Sequence, residues 1–268
     1  MDISYGNIQE TKSDEYMKAL LLCGGFATRL EPMTYFIPKP LLPIGIAGKP
    51  VVEYAFDDIV ASGINDIILS TNAKFADAFH YWARQKTEKS KVKIDFVIEG
   101  TTHDNEKFGA LRGISYAIKE KHIDDDLIVV AGDNLYEFSL KDIIAYFNKY
   151  RKPTVAFHEI GSKEEAKKFG VAKLEGNRVV SFDEKPENPA STLVSTAIYI
   201  FPKESLGLID EYLNETKNPD RIGEFIKWLI VRTEVHGYVY KEKWYDIGTL
   251  ETYKKVFDEY TKTHNGKK

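Results

Sequence analysis

An α/β fold with a mixed, mainly parallel central sheet is predicted by three features. Short runs rich in Leu, Ile and Val lack polar alternation, segments of helical spacing separate them, and the chain is long enough to cover both faces of a sheet. Strands packed under helices on both sides read as near-continuous apolar runs, whereas half-solvated strands alternate. The 268 residues, 43% apolar and 29% charged, suit one larger-than-average globular unit or a core domain with an annex.

The runs are Lys18–Cys23, Asp66–Ser70, Ile94–Ile98 and Leu127–Val130, bounded by Gly, Asn or Asp, and each reads as a strand buried on both faces. Between them, Val51–Ser62, Phe75–Gln85 and Gly109–Lys119 have helical spacing; the last carries Leu111, Ile114, Ala117 and Ile118 on one stripe. This is βαβα alternation. After a further helix, Leu140–Tyr150, the runs Thr154–Ile160, Val171–Leu174, Arg178–Phe182 and Thr192–Phe201 are shorter and broken by Gly and Pro. They predict α+β additions to the same sheet. Leu206–Leu213, Glu224–Val231 and Leu250–Tyr260 read as helices, with a strand over Val235–Trp244. Residues 1–16 read as a loose polar leader, and 17–262 as one domain with halves at about 17–150 and 151–262. No repeats appear, and no hexapeptide array follows, so a β-helical tail is not expected.

Lys plus Arg total 37 against 41 Asp plus Glu, a formal charge of -4, so no global positive field exists to hold nucleic acid. An anionic ligand must be gripped locally. The single cysteine, Cys23, excludes an intrachain disulfide framework and a Cys-based zinc site and fits a reducing cytoplasm; it reads as a small buried hydrophobe. The start lacks the pattern of a signal peptide, and no apolar run approaches the roughly 18 residues of a membrane helix, so no membrane partner is expected.

Directly after the first strand stands Leu22-Cys23-Gly24-Gly25-Phe26-Ala27-Thr28-Arg29-Leu30, followed by Pro32, Thr34 and Pro38-Lys39-Pro40-Leu41-Leu42-Pro43. Adjacent glycines let the backbone turn tightly and aim N–H groups at phosphate. Arg29 adds a forked cation and Lys39 a compact one. The spacing fits neither a Walker loop nor the dinucleotide fingerprint. Two aspartates follow strands, at Ala131-Gly132-Asp133-Asn134 and Trp244-Tyr245-Asp246-Ile247-Gly248-Thr249. Asp133 falls on a carboxyl-end loop, where open α/β sheets bind ligands. Either aspartate alone would pass for a turn residue. The run Asp124-Asp125-Asp126 reads as a solvated turn before a strand.

Gly-Gly-x-x-Thr-Arg-Leu, then Pro and Thr, then Pro-Lys-Pro-Leu-Leu-Pro resembles the signature of the sugar-1-phosphate nucleotidyltransferases, and within them the glucose-1-phosphate thymidylyltransferases, over about residues 17–253. The resemblance implies a Rossmann-like nucleotide-binding domain with α+β sugar-binding additions. It also implies a reaction joining a sugar 1-phosphate to a nucleoside triphosphate with release of pyrophosphate, and it suggests homo-oligomers. It assigns Leu22, Gly24 and Gly25 to the nucleotide, Arg29 to the triphosphate tail and Lys39 to the phosphates at the reacting centre. Asp133 and Asp246 match the family's Gly-Asp-Asn and Trp-x-Asp-x-Gly-Thr, where paired aspartates hold catalytic Mg²⁺. Ala27 stands where the family has glycine, which implies a shifted loop or negative φ there.

On the sugar side, Glu184-Lys185-Pro186 matches the family's Glu-Lys-Pro: by resemblance Glu184 accepts from sugar hydroxyls and Lys185 binds the sugar phosphate. The plain reading is an exposed ion pair at a turn. Phe169-Gly170-Val171 matches a stretch where backbone meets the hexose. Asn134 and Ser195, the latter within Leu193–Tyr199, are assigned to the same ligand; Ala197 replaces a usual glycine and would narrow the pocket. Arg221-Ile222-Gly223-Glu224 resembles the family's helix entry, or simply starts a helix with Glu in its first turn.

For the base, thymidylyltransferases carry a Gln shortly before a glycine. Here Glu99 takes the Gln position and Gly109 opens a helix after a longer loop. A carboxylate only accepts, which favours the cytosine amino group over a thymine carbonyl; a solvated strand end explains Glu99 equally. The resulting expectation is a cytoplasmic, Mg²⁺-dependent enzyme using dTTP and glucose 1-phosphate. UTP or CTP, CMP transfer onto an alcohol phosphate, and a non-catalytic regulator that binds sugar nucleotide are the alternatives.

Overall fold

The computed structural model describes residues 16–88, 92–216 and 221–265; apart from Tyr16, the polar leader lies outside them. In chain order the elements are β1 (Met17–Leu22), β2 (Pro43–Ile44), β3 (Lys49–Pro50), α1 (Val51–Ala61), β4 (Asp66–Asn72), α2 (Ala76–Thr87), β5 (Lys93–Glu99), α3 (Ala110–Glu120), β6 (Asp126–Ala131), β7 (Asn134–Tyr136), α4 (Leu140–Tyr150) and β8 (Thr154–Glu159). They continue with α5 (Lys163–Ala166), β9 (Gly170–Glu175), β10 (Arg178–Glu184), β11 (Leu193–Phe201), α6 (Gly207–Glu215), α7 (Ile222–Leu229), β12 (His236–Tyr240), β13 (Trp244–Asp246) and α8 (Leu250–Asn265).

One mixed sheet runs in the order β5-β4-β1-β6-β11-β8-β12-β10-β9, with β11 also touching β9. β5, β4, β1 and β6 are mutually parallel, and β11 joins β6 antiparallel. Along β1, Ala19 and Leu21 pack into a core shared with α1, α2 and α4, while Leu20 packs into the opposite core under α3, α6 and α7. Both faces are therefore covered, which is why β1, β4 and β6 are apolar without alternation. On α3, Leu111, Ile114 and Ala117 are fully buried, each of the two larger side chains contributing about 1.5–3 kcal/mol. The chain leaves β1 for β4 on one side and reaches β6 on the other, so their carboxyl ends flank the point where strand order reverses. A crevice opens there.

Four sequence expectations need correction. Ile94–Ile98 lies in β5 at the sheet edge and is not buried on both faces: Ile98 is 39% exposed. Val235–Trp244 is two strands: β12 pairs with β8 in the large sheet, and β13 pairs with β7 in a separate ribbon. Asp126 is not solvated but 4% exposed; it receives Arg151 Nη1 at 2.5 Å, Nη2 at 3.1 Å and the Lys203 backbone N–H at 3.0 Å. Ala27 keeps the left-handed backbone a glycine would supply, at φ 51°, ψ 42°.

Ala197 is likewise left-handed, at φ 57°, within the irregular stretch of β11 where its register against β8 shifts between Ser195 and Tyr199. Both alanines thus hold a conformation in which Cβ crowds the following carbonyl, at about 1–2 kcal/mol. Glycine relieves this and returns part of the gain through its freer unfolded chain. Ala27→Gly and Ala197→Gly are each expected to raise Tm by about 1–3 °C, corresponding to about 0.5–1 kcal/mol; a thermal melt showing destabilisation would refute the strain argument.

Candidate active site

The loop leaving β1 is pinned at each step. Cys23 N–H donates to Ser70 O at 2.8 Å, Asn72 Nδ2 donates to Gly24 O at 3.0 Å, and Thr34 Oγ1 donates to Ala27 O at 2.9 Å. A turn of 3₁₀ helix, Thr28–Leu30, then points Arg29 over the crevice. Arg29 makes no hydrogen bond or ion pair among the described residues. Cys23 is 1% exposed, and burial pushes its thiol up, so it is packing rather than a nucleophile.

Lys39 opens a second 3₁₀ turn and is buried. Its ammonium lies 2.7 Å from Asp133 Oδ2 and 4.0 Å from Asp246 Oδ1. Asp133 follows β6; Asp246 ends β13, whose antiparallel register sets Asp246 opposite Asn134. This three-residue ribbon brings the aspartates together. Their support is a small core of Leu30, Leu42, Ile44, Val51, Leu135, Ile247, Tyr253 and Val256, in which α8 packs under the ribbon and the basic loop. Burial raises the Asp246 carboxyl above its usual range, against the pull of Lys39, and Asp133 adds to the rise. Asn134 Oδ1 is buried without a partner.

Two clefts meet at this cluster. The smaller, about 450 Å³, runs from Leu22, Gly25 and Phe26 past Lys39 to Asp246, with Asp104 and Lys107 of the long loop on its wall. The larger, about 840 Å³, is lined by Glu184, Lys185, Ser195, Tyr199 and Trp244, among others. Arg29, Asp133 and Asp246 line both. Gly170 also lines the larger cleft. A Cβ there would stand 2.4 Å from Phe182 Cζ, and one on Gly223 would stand 2.2 Å from Glu184 Oε2. The two glycines thus admit Glu184, which is only partly exposed, and burial raises its carboxyl despite Lys185 and Arg221 nearby. Lys185 is left-handed, at φ 49°, with its N–H held by Phe169 O at 3.0 Å and its ammonium 3.9 Å from Glu184 Oε1. Ser195 Oγ lies 3.3 Å from Tyr199 OH.

Glu99 is not a solvated strand end: it is 6% exposed behind the loop, its carboxyl packed against Gly24 and Gly113. Gly109 is the N-cap of α3 at φ 80°. Cleft residues to which no sequence motif points include Lys168 in the turn after α5, Lys255 on α8 and His158 on β8.

Two partly exposed carboxylates and a buried ammonium at the junction of two cation-lined clefts suit anionic ligands that meet there. Among the described residues no group of three or more His, Cys, Asp or Glu clusters as a metal site. The pair alone fits Mg²⁺, which takes one or two protein carboxylates and completes its octahedron with phosphate oxygens and water.

The family model described as nucleotidyl transferase matches residues 18–263. The chain is 30% identical over 258 residues to the bifunctional protein GlmU of Methanocaldococcus jannaschii, covering 94% of this chain and 57% of that protein. It is 27% identical over 236 residues to a mannose-1-phosphate guanyltransferase of Gibberella zeae, covering 87% and 61%. The chain therefore spans little more than half the length of these relatives. In fold it resembles a UDP-glucose pyrophosphorylase solved with UDP-glucose, with TM-score 0.77, 24% identity, and 92% and 99% of the two chains covered.

Proposed function

Because the chain belongs to the nucleotidyl transferase family, we propose that it joins a sugar 1-phosphate to a nucleoside triphosphate and releases pyrophosphate, with glucose 1-phosphate and dTTP as leading substrates. The observation that carries this reading is the Lys39–Asp133–Asp246 cluster at the junction of two clefts, one edged by the glycine loop and the other by Glu184 and Lys185. The triphosphate occupies the smaller cleft and the sugar phosphate the larger.

In this scheme a phosphate oxygen of the sugar 1-phosphate attacks the α-phosphorus, and the bond to the bridging oxygen breaks as pyrophosphate leaves. The nucleophile is already anionic, so no general base is needed. Lys185 orients it, Lys39 donates to the α-phosphate oxygens as charge builds there, and Arg29 holds the departing pyrophosphate. Asp133 and Asp246 would hold Mg²⁺, which neutralises phosphate charge when bound. The buried free thiol of Cys23 suits a reducing compartment such as the cytoplasm.

Pyrophosphate release by the purified protein with Mg²⁺ tests this, with dTTP, UTP, CTP, GTP and ATP each set against glucose 1-phosphate and then other sugar phosphates. Release that requires both substrates is the expected result. A folded protein that binds nucleotide but stays silent across the grid would refute catalysis and favour a regulatory role.

A further inference from the structure

The long loop between β5 and α3 is folded on its own bonds. Thr102 N–H donates to Glu106 Oε2 at 3.1 Å, Glu106 N–H to His103 O at 3.0 Å and Lys107 N–H to Asp104 O at 3.4 Å. The Lys107 ammonium lies 3.1 Å from Asp104 Oδ1 and 3.3 Å from Oδ2. Among the described residues, every hydrogen bond and ion pair of residues 102–107 stays within that segment. Thr101 O, which accepts the Ala73 N–H at 3.1 Å, tethers it at one end, and Gly109 at φ 80° follows it at the other. The turn can therefore shift as a unit without breaking a hydrogen bond to the rest of the protein.

Asp104 and Lys107 stand on the wall of the smaller cleft together with Thr28, Arg29, Lys39, Asp133 and Asp246. The loop thus meets the phosphate end of that cleft. Lys39 is shared between two carboxylates, which leaves Lys107 and the unpaired Arg29 as the cations within reach of a bound phosphate chain. The Asp104–Lys107 pair is three residues apart in sequence, with its side chains 42% and 53% exposed, and an ion pair so placed is weak. A triphosphate is the stronger partner, because it brings several anionic oxygens to one ammonium.

Resting on the nucleotidyltransferase reading, we propose that Lys107 binds the outer phosphates of the incoming triphosphate from the loop side of the cleft, exchanging Asp104 for them. Asp104 is the resting partner: it keeps the ammonium at the cleft wall, and the pair cancels a carboxylate that would otherwise repel phosphate. The loop supplies the freedom for the exchange, since its own bonds travel with it. The finished nucleotide sugar keeps neither outer phosphate. Lys107 therefore distinguishes substrate from product, and it returns to Asp104 once pyrophosphate has left.

Equilibrium binding without sugar phosphate tests this. Of dTTP, UTP, CTP, GTP and ATP, the one that the wild type binds most tightly is the probe, and its monophosphate is the control. Lys107→Ala should weaken the triphosphate by about fivefold, the size of one charge-assisted contact at an exposed position, and leave the monophosphate unchanged. Lys107→Arg should restore most of the loss. A loop that merely shapes the nucleoside site would instead weaken both ligands alike. Asp104→Asn frees the ammonium and should tighten the triphosphate by about two- to threefold, a gain that should vanish when combined with Lys107→Ala. Unchanged triphosphate affinity in Lys107→Ala, an equal loss for the monophosphate, or an Asp104→Asn gain that persists in the double variant would each overturn the exchange while leaving the transferase reading intact. Failure of the folded wild type to bind any of the five nucleotides would overturn both.

Discussion

In Lys39→Met, kcat for nucleotide-sugar formation is expected to fall by about 10²–10³, the usual effect of removing one preorganised charge aimed at a transition state. Methionine keeps most of the volume, so the buried site stays filled while the ammonium is lost. The loss should fall on kcat more than on KM, because the charge matters most as the α-phosphate oxygens gain density. A structural ion pair predicts otherwise. Lys39 also offsets the repulsion between Asp133 and Asp246, its ammonium lying 2.7 Å and 4.0 Å from their carboxylates, so the variant should lose some stability too. Asp133→Asn separates the effects: it relieves the carboxylate repulsion yet should raise the Mg²⁺ concentration needed for turnover. If Lys39→Met turned over within threefold of the wild type, the catalytic assignment of Lys39 would be wrong, whatever its Tm.

The parallel half of the sheet was legible because β1, β4 and β6 are covered on both faces and their composition has no other use. β5 carries a similar run, yet it lies at the edge, and composition alone does not distinguish an edge strand with apolar residues from a central one. The break after Tyr240 was hidden because apolar residues resume at Trp244; only the intervening Lys241-Glu242-Lys243 hints at a turn. In the candidate site, Asp133 and Asp246 were found from their motifs. Their meeting was not, since it depends on a ribbon of three-residue strands too short to show any period. The burial of Glu99 was invisible for a related reason: the space it fills exists because residues 24 and 113, from two other segments, have no side chains.

The acidic run before β6 leads to the largest expected loss of stability. Asp126 accepts two hydrogen bonds from Arg151 and one from the Lys203 N–H, while Arg151 also lies 4.8 Å from the Phe147 ring centroid. Arg151→Ala leaves a 4%-exposed carboxylate with a single backbone donor. Breaking a buried pair this way costs about 3–5 kcal/mol. Because the Arg151 side chain is 29% exposed, the lower end applies, and Tm should fall by about 6–12 °C. Arg151 also sits at φ 54° as the C-cap of α4, a position that suits glycine. Arg151→Gly should therefore be less destabilised than Arg151→Ala by about 1 kcal/mol, although it removes the same ion pair. Equal losses in the two variants would show that the backbone there is unstrained, and a fall below about 2 °C in both would show that solvent screens the pair. Asp126 begins the strand whose other end leads to Asp133, so below its melting temperature each variant should keep the wild-type kcat. A fall in kcat before unfolding would instead mean that the pair sets the position of β6 and, through it, of Asp133.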